Sequence, residues 1–203
     1  MKFTPLSLDG LFLVEQRLMS DERGAFTRSF CEDLFREAGL HADYPQHNHS
    51  FNTHAGTVRG MHYQRAPDEE VKLVQVLRGA IADVMVDIRE GSTTFGQSLT
   101  VELSQNEATA LYIPAGFAHG FQTLADDTLV TYLMGSRFVP DANTGFRWND
   151  PFEALIDHRW CREIRLILHI EPSRHSHLNG LLLSQPLNKC INIHCGLPGW
   201  RSG

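Results

Sequence analysis

No stretch of about 18 consecutive apolar residues occurs in the 203-residue chain, so no membrane-spanning helix is expected. Positive charge is also in short supply. The formal net charge is −6 with histidine neutral, which argues against general affinity for nucleic acid and leaves room only for a local basic patch around an anionic ligand. The opening residues, MKFTPLSLDGLFLVEQRL, lack the unbroken apolar core and small-residue cleavage site of a secretory leader. The expected compartment is therefore the cytoplasm. Cysteine is scarce as well: Cys31, Cys161, Cys190 and Cys195 are the whole complement, and in a reducing compartment they read as free thiols. Cys190 and Cys195 bracket His194, but a closed zinc site needs four ligands and no second pair of that kind is present. Internal repeats and low-complexity tracts are absent too.

What is present is enough apolar material, 42% of residues, for one domain with a sizeable core. Charge divides the chain into two regimes. Up to residue 159 there are 22 acidic against 13 basic residues; beyond it, 2 acidic against 5 basic. The domain reading is a body over 1–158 and an atypical tail over 159–203. The body is written in short alternating runs closed by turn residues. Examples are VKLVQVLRG (71–79), AIADVMVDIREG (80–91), TFGQSLTVELS (94–104), EATALYIPAG (107–116), HGFQTLADD (119–127) and DTLVTYLMGS (127–136). Six or more strands at roughly ten-residue spacing predict an all-β antiparallel sandwich or barrel. Helical spacing is clear only in CEDLFREAGL (31–40), with Leu34, Phe35 and Ala38 apolar and Gly39 as the stop.

Several polar residues do not fit a plain core. In RGMHYQ (59–64), strand alternation puts Gly60, His62 and Gln64 on one face and Arg59, Met61 and Tyr63 on the other. A face of Gly, His and Gln reads as the wall of a wet cavity, although His62 as a satisfied structural histidine is the alternative. In PAGFAHGF (114–121), turn chemistry accounts for Pro114 and Gly116 but not for His119. Asp83 and Asp87 lie two strand periods apart. Asp87, beside Arg89, reads as part of a solvated strand face. Tyr132 in LVTYLMG is by itself an ordinary sheet tyrosine.

In order along the chain, DERGAF (21–26), QHNHSF (46–51), RGMHYQ, KLVQVLRG (72–79), DVMVDIREGSTTFGQ (83–97), LYIPAGFAHGFQTL (111–124) and GFRWNDP (145–151) resemble the dTDP-4-dehydrorhamnose 3,5-epimerase family. The resemblance covers about residues 9 to 152. It implies a cupin-type double-stranded β-helix (jelly roll), a homodimer, no cofactor, no metal, and a nucleotide-linked 4-keto sugar as substrate. It further implies His62 as base, Tyr132 as acid on the opposite face of the sugar, and Lys72 beside the ketone oxygen. Asp83 is implied near the catalytic histidine, and His119 in a supporting role in the pocket. Arg23, Asn48 and Arg59 are implied around the nucleotide diphosphate, Gln46 as a further substrate-binding residue, and Phe26 and Phe138 as aromatics by the base. The chemistry suits these residue types. A neutral imidazole is available near neutrality, a phenol keeps its proton until an enolate can take it, and guanidinium forks match phosphate oxygens.

The chain departs from the family pattern at four places. Arg28 stands where an acidic residue is usual, His47 replaces the aspartate of a QDN motif, and Phe138 can stack but has no hydroxyl. The tail contains no aspartate, whereas the family supplies one from its C-terminal region to orient the catalytic histidine, as carboxylates do elsewhere. Asp83 is the remaining candidate for that task. Two alternatives accompany the epimerase reading. One is a non-catalytic nucleotide-sugar binding module. The other is a metal-dependent cupin, for which Gln64 is a weak ligand where a second histidine is usual.

Overall fold

The computed structural model describes residues 1–146. The readings made for the tail, including Cys161, Cys190, Cys195, His194 and the missing aspartate, lie outside these described residues. Alternating runs become strands because each must bury one face, and two sheets solve that problem together. One sheet has six antiparallel strands in the order β1 (Lys2–Pro5), β2 (Phe12–Glu15), β10 (Thr109–Ile113), β7 (Lys72–Arg78), β12 (Thr128–Met134) and β5 (Gln46–Asn52). The other has five: β13 (Asn143–Gly145), β6 (Val58–Gln64), β11 (Phe117–Thr123), β8 (Ala80–Asp87) and β9 (Ser98–Ser104). Sequence neighbours such as β7 and β8 fall in different sheets, the mark of a jelly roll. No helix among the described residues is long and apolar enough to cross a membrane.

The inner core lies between the sheets. Val74, Val76, Leu111, Ile113 and Val130 of the six-stranded sheet meet Ile81, Met85, Leu103, Phe117 and Phe121 of the five-stranded one. The outer face of the six-stranded sheet is also covered. There Val14, Leu73, Ala110 and Tyr112 pack against Phe35 of α1 (Glu32–Glu37). The helix stops as expected, with Gly39 at φ +72. On the outer face of the five-stranded sheet, Met61, Val84, Val86 and Ala118 form a third cluster. A small hairpin, β3 (Leu18–Asp21) with β4 (Gly24–Thr27), belongs to neither sheet.

Register changes the reading of β8, where Asp87 pairs with Phe117 of the inner core. Asp87 is not on a solvated face: it is fully buried. Its Oδ1 accepts from the Arg89 backbone N–H (3.0 Å) and Nε (2.9 Å). Its Oδ2 accepts from Arg89 Nη2 (2.7 Å), Ser92 Oγ (2.7 Å) and Thr94 Oγ1 (2.6 Å). Arg89 goes on to donate to the Asp9 carbonyl and lies over the Phe117 ring. One carboxylate therefore closes the turn between β8 and β9 and ties it to the N-terminal loop. Burial opposes its ionisation, but these donors win and hold the carboxyl well below the usual aspartate range.

Such a group stabilises the fold fully above the unfolded aspartate value of about 3.9, and that contribution is lost as the pH falls through the lower folded value. Asp87→Asn is expected to cost on the order of 3 kcal/mol at pH 7, since it leaves Arg89 without its counter-charge. In urea titrations the gap between wild type and variant should narrow as the pH drops below about 4. A gap independent of pH would contradict this account.

Candidate active site

His62 owes its setting to a fault in the ladder. On β11, His119 pairs with His62, and two residues on, Phe121 pairs with Arg59 three residues back. The extra residue is a bulge on β6. It keeps His62 on the inner face, as the alternation predicted, but turns Arg59 to the same side. The expectation that Arg59 shares a face with Met61 and Tyr63 is therefore corrected. Met61 and Tyr63 pack outward with Val84 and Ala118, while Arg59 Nε donates to Asn52 Oδ1 at 2.6 Å. Gly60 makes the bulge possible. A Cβ there would lie 2.5 Å from Gly120 Cα and 2.7 Å from the His119 carbonyl, at a φ of +109. Two glycines let the two backbones that carry the histidines touch.

Asp83 also lands differently from the expectation that it orients His62. Its Oδ1 is 2.6 Å from His119 Nε2, both groups buried. The reason is strand order: β11 lies between β6 and β8, so His62 is two strand spacings, nearly 10 Å, from the strand that carries Asp83. Asp83 fixes the orientation of His119, and His119 stands beside His62. Asp83 Oδ2 is buried with no hydrogen-bond partner among the described residues. Gln64 is not free to line a cavity or hold an ion. Its amide nitrogen donates to the Asp68 and Arg137 carbonyls and to Ser136, and its oxygen accepts from Val139 N–H.

The opposite wall is the six-stranded sheet. Tyr132 pairs with Val74 on β7 and Asn48 on β5, and Lys72 pairs with Met134. These registers put Tyr132, Asn48, Ser50 and Lys72 on one face, which Val74, Val76 and Val130 mark as the inner one. Lys72 is buried and its ammonium lies 2.8 Å from Glu70 Oε1. Gln46 accepts a hydrogen bond from the Phe138 backbone N–H, which brings those two residues together at the end of the same sheet. His47, one of the departures from the family pattern, faces outward, hydrogen-bonded to Thr131 Oγ1 at 2.6 Å.

Electrostatics ties the two walls together. Although His62 is open to solvent, surrounding protein desolvates its ring enough to lower its pKa; Lys72, His119 and Arg59 push the same way, and Glu70 pushes back. On the other wall, burial raises the Tyr132 pKa, Asp83 adds to that, and a hydrogen bond from Ser50 together with Arg59 opposes it. Arg59 and the Asp83–His119 pair thus act on both groups. At neutral pH the arrangement offers an unprotonated imidazole on one wall and a protonated phenol on the other.

Arg23 and Phe26 do not join this cluster within one chain. Both lie on the β3–β4 hairpin, where Arg23 Nη2 pairs with Asp21 at 2.5 Å and Phe26 is 62% exposed. Three residues escaped the sequence reading: Ser50, Asn52 and Glu70. The first two share the two-residue period of Asn48, and Glu70 stands one such period before Lys72, so each had a signal in the spacing.

The dTDP-4-dehydrorhamnose 3,5-epimerase family model matches residues 5–171. A dTDP-4-dehydrorhamnose 3,5-epimerase from Sinorhizobium fredii is 41% identical over 151 residues, covering 74% of this chain and 77% of that protein. The crystal structure of the Bacillus anthracis enzyme of that name, with TDP and PPi bound, is similar at TM-score 0.72 and 39% identity, covering 74% of this chain and 86% of that one. A Legionella pneumophila dTDP-6-deoxy-D-glucose-3,5-epimerase in complex with dTDP-4-keto-L-rhamnose is similar at TM-score 0.70 and 36% identity, covering 74% and 79%.

Proposed function

The chain belongs to the dTDP-4-dehydrorhamnose 3,5-epimerase family, and from that premise we propose how its own residues carry the reaction. The protein is an isomerase of deoxysugar biosynthesis: it epimerises a dTDP-linked 4-keto-6-deoxy sugar at C3, C5 or both. The ketone at C4 acidifies the hydrogens on its neighbours. His62 takes such a proton; the C–H electron pair moves into the ring and negative charge develops on the ketone oxygen. Lys72 faces that oxygen and stabilises the enolate. Tyr132 returns a proton to the same carbon from the opposite face, and the resulting phenolate and imidazolium are reset by exchange with solvent. The observation that supports these roles is the placement of base and acid on opposing sheets, with Arg59 acting on both.

Arg59, Asn48 and Gln46 then receive the diphosphate end, and Phe138 stands where a base can stack. The hairpin supplies the rest in a homodimer. Exposed Leu18, Met19 and Phe26 are covered by a second copy, whose site receives Arg23 and Phe26. Sedimentation equilibrium of the full chain giving the mass of a single chain would remove this part of the reading.

The activity itself is tested by incubating the dTDP-4-keto-6-deoxy sugar with the protein in deuterated buffer and following C3 and C5 by NMR. Deuterium at both carbons marks a double epimerase, and at one carbon a mono-epimerase. Tight nucleotide binding with uptake at neither leaves a binding module instead.

A further inference from the structure

We infer that Glu70 is a positioning residue for this reaction: through the buried ion pair with Lys72 it holds the lysine ammonium in place at the wall where the enolate forms. The inference rests on the epimerase reading and goes beyond it, since it concerns a residue with no part in proton transfer.

The geometry comes first. Lys72 opens β7, and Glu70 lies two residues before it in the loop that leads into the strand. Their charged atoms are 2.8 Å apart, with side-chain exposures of 8% and 10%. A buried ion pair of this kind is a poor source of stability, because desolvating two charges offsets their attraction, and an apolar pair would serve the fold as well or better. Its value lies in what it does locally.

The surroundings are crowded with cations and imidazoles. His62 is faced by Arg59 on its own strand, by His119 from β11 and by Lys72 from β7; β13, on its other side, brings Asn143, Thr144 and Gly145 and no charge. The Asp83 carboxylate is engaged with His119, and Tyr132 on the opposing sheet is a neutral phenol at neutral pH. Among the described residues acting on His62, Glu70 alone acts to hold a proton on it. A lysine ammonium there without a counter-charge has no partner to fix its place on the wall, and a displaced charge stabilises an enolate poorly. The loop that carries Glu70 is itself anchored, since Gln64 holds the Asp68 carbonyl at 2.9 Å.

The test uses Glu70→Gln in the full chain, a change that keeps the side chain's shape and one acceptor oxygen, removes the charge and turns the other oxygen into an NH2 donor. With the dTDP-4-keto-6-deoxy sugar, kcat is expected to fall about tenfold or more with KM within about twofold of wild type, because the lost interaction is made in the transition state. The acid limb of kcat/KM should move to lower pH, since the imidazole loses the negative charge that favoured its protonated form. Loosening of the site would move that limb the other way, by exposing the ring. In a Lys72→Met background, adding Glu70→Gln should change kcat by no more than about twofold, as expected of residues acting as one unit.

If Glu70→Gln fails to fold, Glu70→Asp takes its place: it keeps the charge but pulls it back by one methylene. It should hold the acid limb where wild type has it while lowering kcat. Wild-type kcat and an unmoved limb in Glu70→Gln, or equal losses with and without Lys72, would overturn the inference. For the aspartate variant, a limb shifted to lower pH would do the same. Wild-type protein that exchanges no deuterium would instead remove the epimerase reading on which the inference stands.

Discussion

His62→Ala protein, mixed with the keto sugar in deuterated buffer, is expected to show deuterium uptake at C3 and C5 lowered by about 10²- to 10⁴-fold, the range that a positioned general base contributes. Nucleotide affinity should stay within about threefold of wild type, because the groups proposed to meet the diphosphate, Arg59, Asn48 and Gln46, do not depend on the imidazole for their positions. Arg59 is held by Asn52 and Gln46 contacts the Phe138 backbone. Folding should survive as well. The His62 side chain is open to solvent, so its removal leaves no void of the kind that makes core truncations costly. In wild type, the acid limb of kcat/KM should lie below the ordinary histidine value of about 6.5, since desolvation and nearby positive charge disfavour the imidazolium. Loss of nucleotide binding in parallel with exchange would assign His62 a structural role and remove it from the chemistry.

Tyr132→Phe separates the two halves of the reaction. The change deletes one oxygen and preserves the ring, which packs against the inner core. Proton abstraction needs only His62 and the enolate stabiliser, so exchange should continue. The imidazolium that forms can itself return a solvent-derived deuteron from the face it attacked, which restores the original configuration. The expected result is deuterium uptake with retention, and a fall of at least about 10²-fold in epimerised product. The Tyr132 pKa is raised mainly by burial, so the phenol in wild type is protonated across the physiological range and is lost as a proton donor only in strong alkali. Inversion at the wild-type rate in Tyr132→Phe would show that the proton on that face comes from elsewhere, solvent included.

Much of this was legible from the residues alone, for a definite reason. Alternation of apolar and polar residues is a one-dimensional consequence of burying one face of a sheet. The runs at 71–79, 80–91 and 127–136 accordingly became β7, β8 and β12, with ends displaced by a few residues. The helix at 31–40 was legible from its spacing and its glycine stop. His62 on a wet inner face followed from the same alternation. What alternation cannot express is an insertion in the ladder, so Arg59 was placed on the wrong face. Nor can it show which face of β8 meets the other sheet, so Asp87 was read as solvated when its ladder partner, Phe117, belongs to the inner core. Asp83 was assigned near the right histidine's neighbourhood but to the wrong partner, because strand order in space is not strand order in sequence.

Composition and periodicity by themselves pointed to an all-β sandwich or barrel with an acidic body, and the family resemblance of the motifs singled out His62, Tyr132 and Lys72 within it. Only the tertiary structure decided that β11 stands between His62 and Asp83, that a glycine-bearing bulge swings Arg59 inward, and that Glu70 meets Lys72 away from solvent. The physical reason is distance: burial of a strand's own face is encoded in residues two apart, whereas charge pairing and hydrogen bonding across a sheet join residues dozens of positions apart. Which of those meet depends on how the whole chain closes.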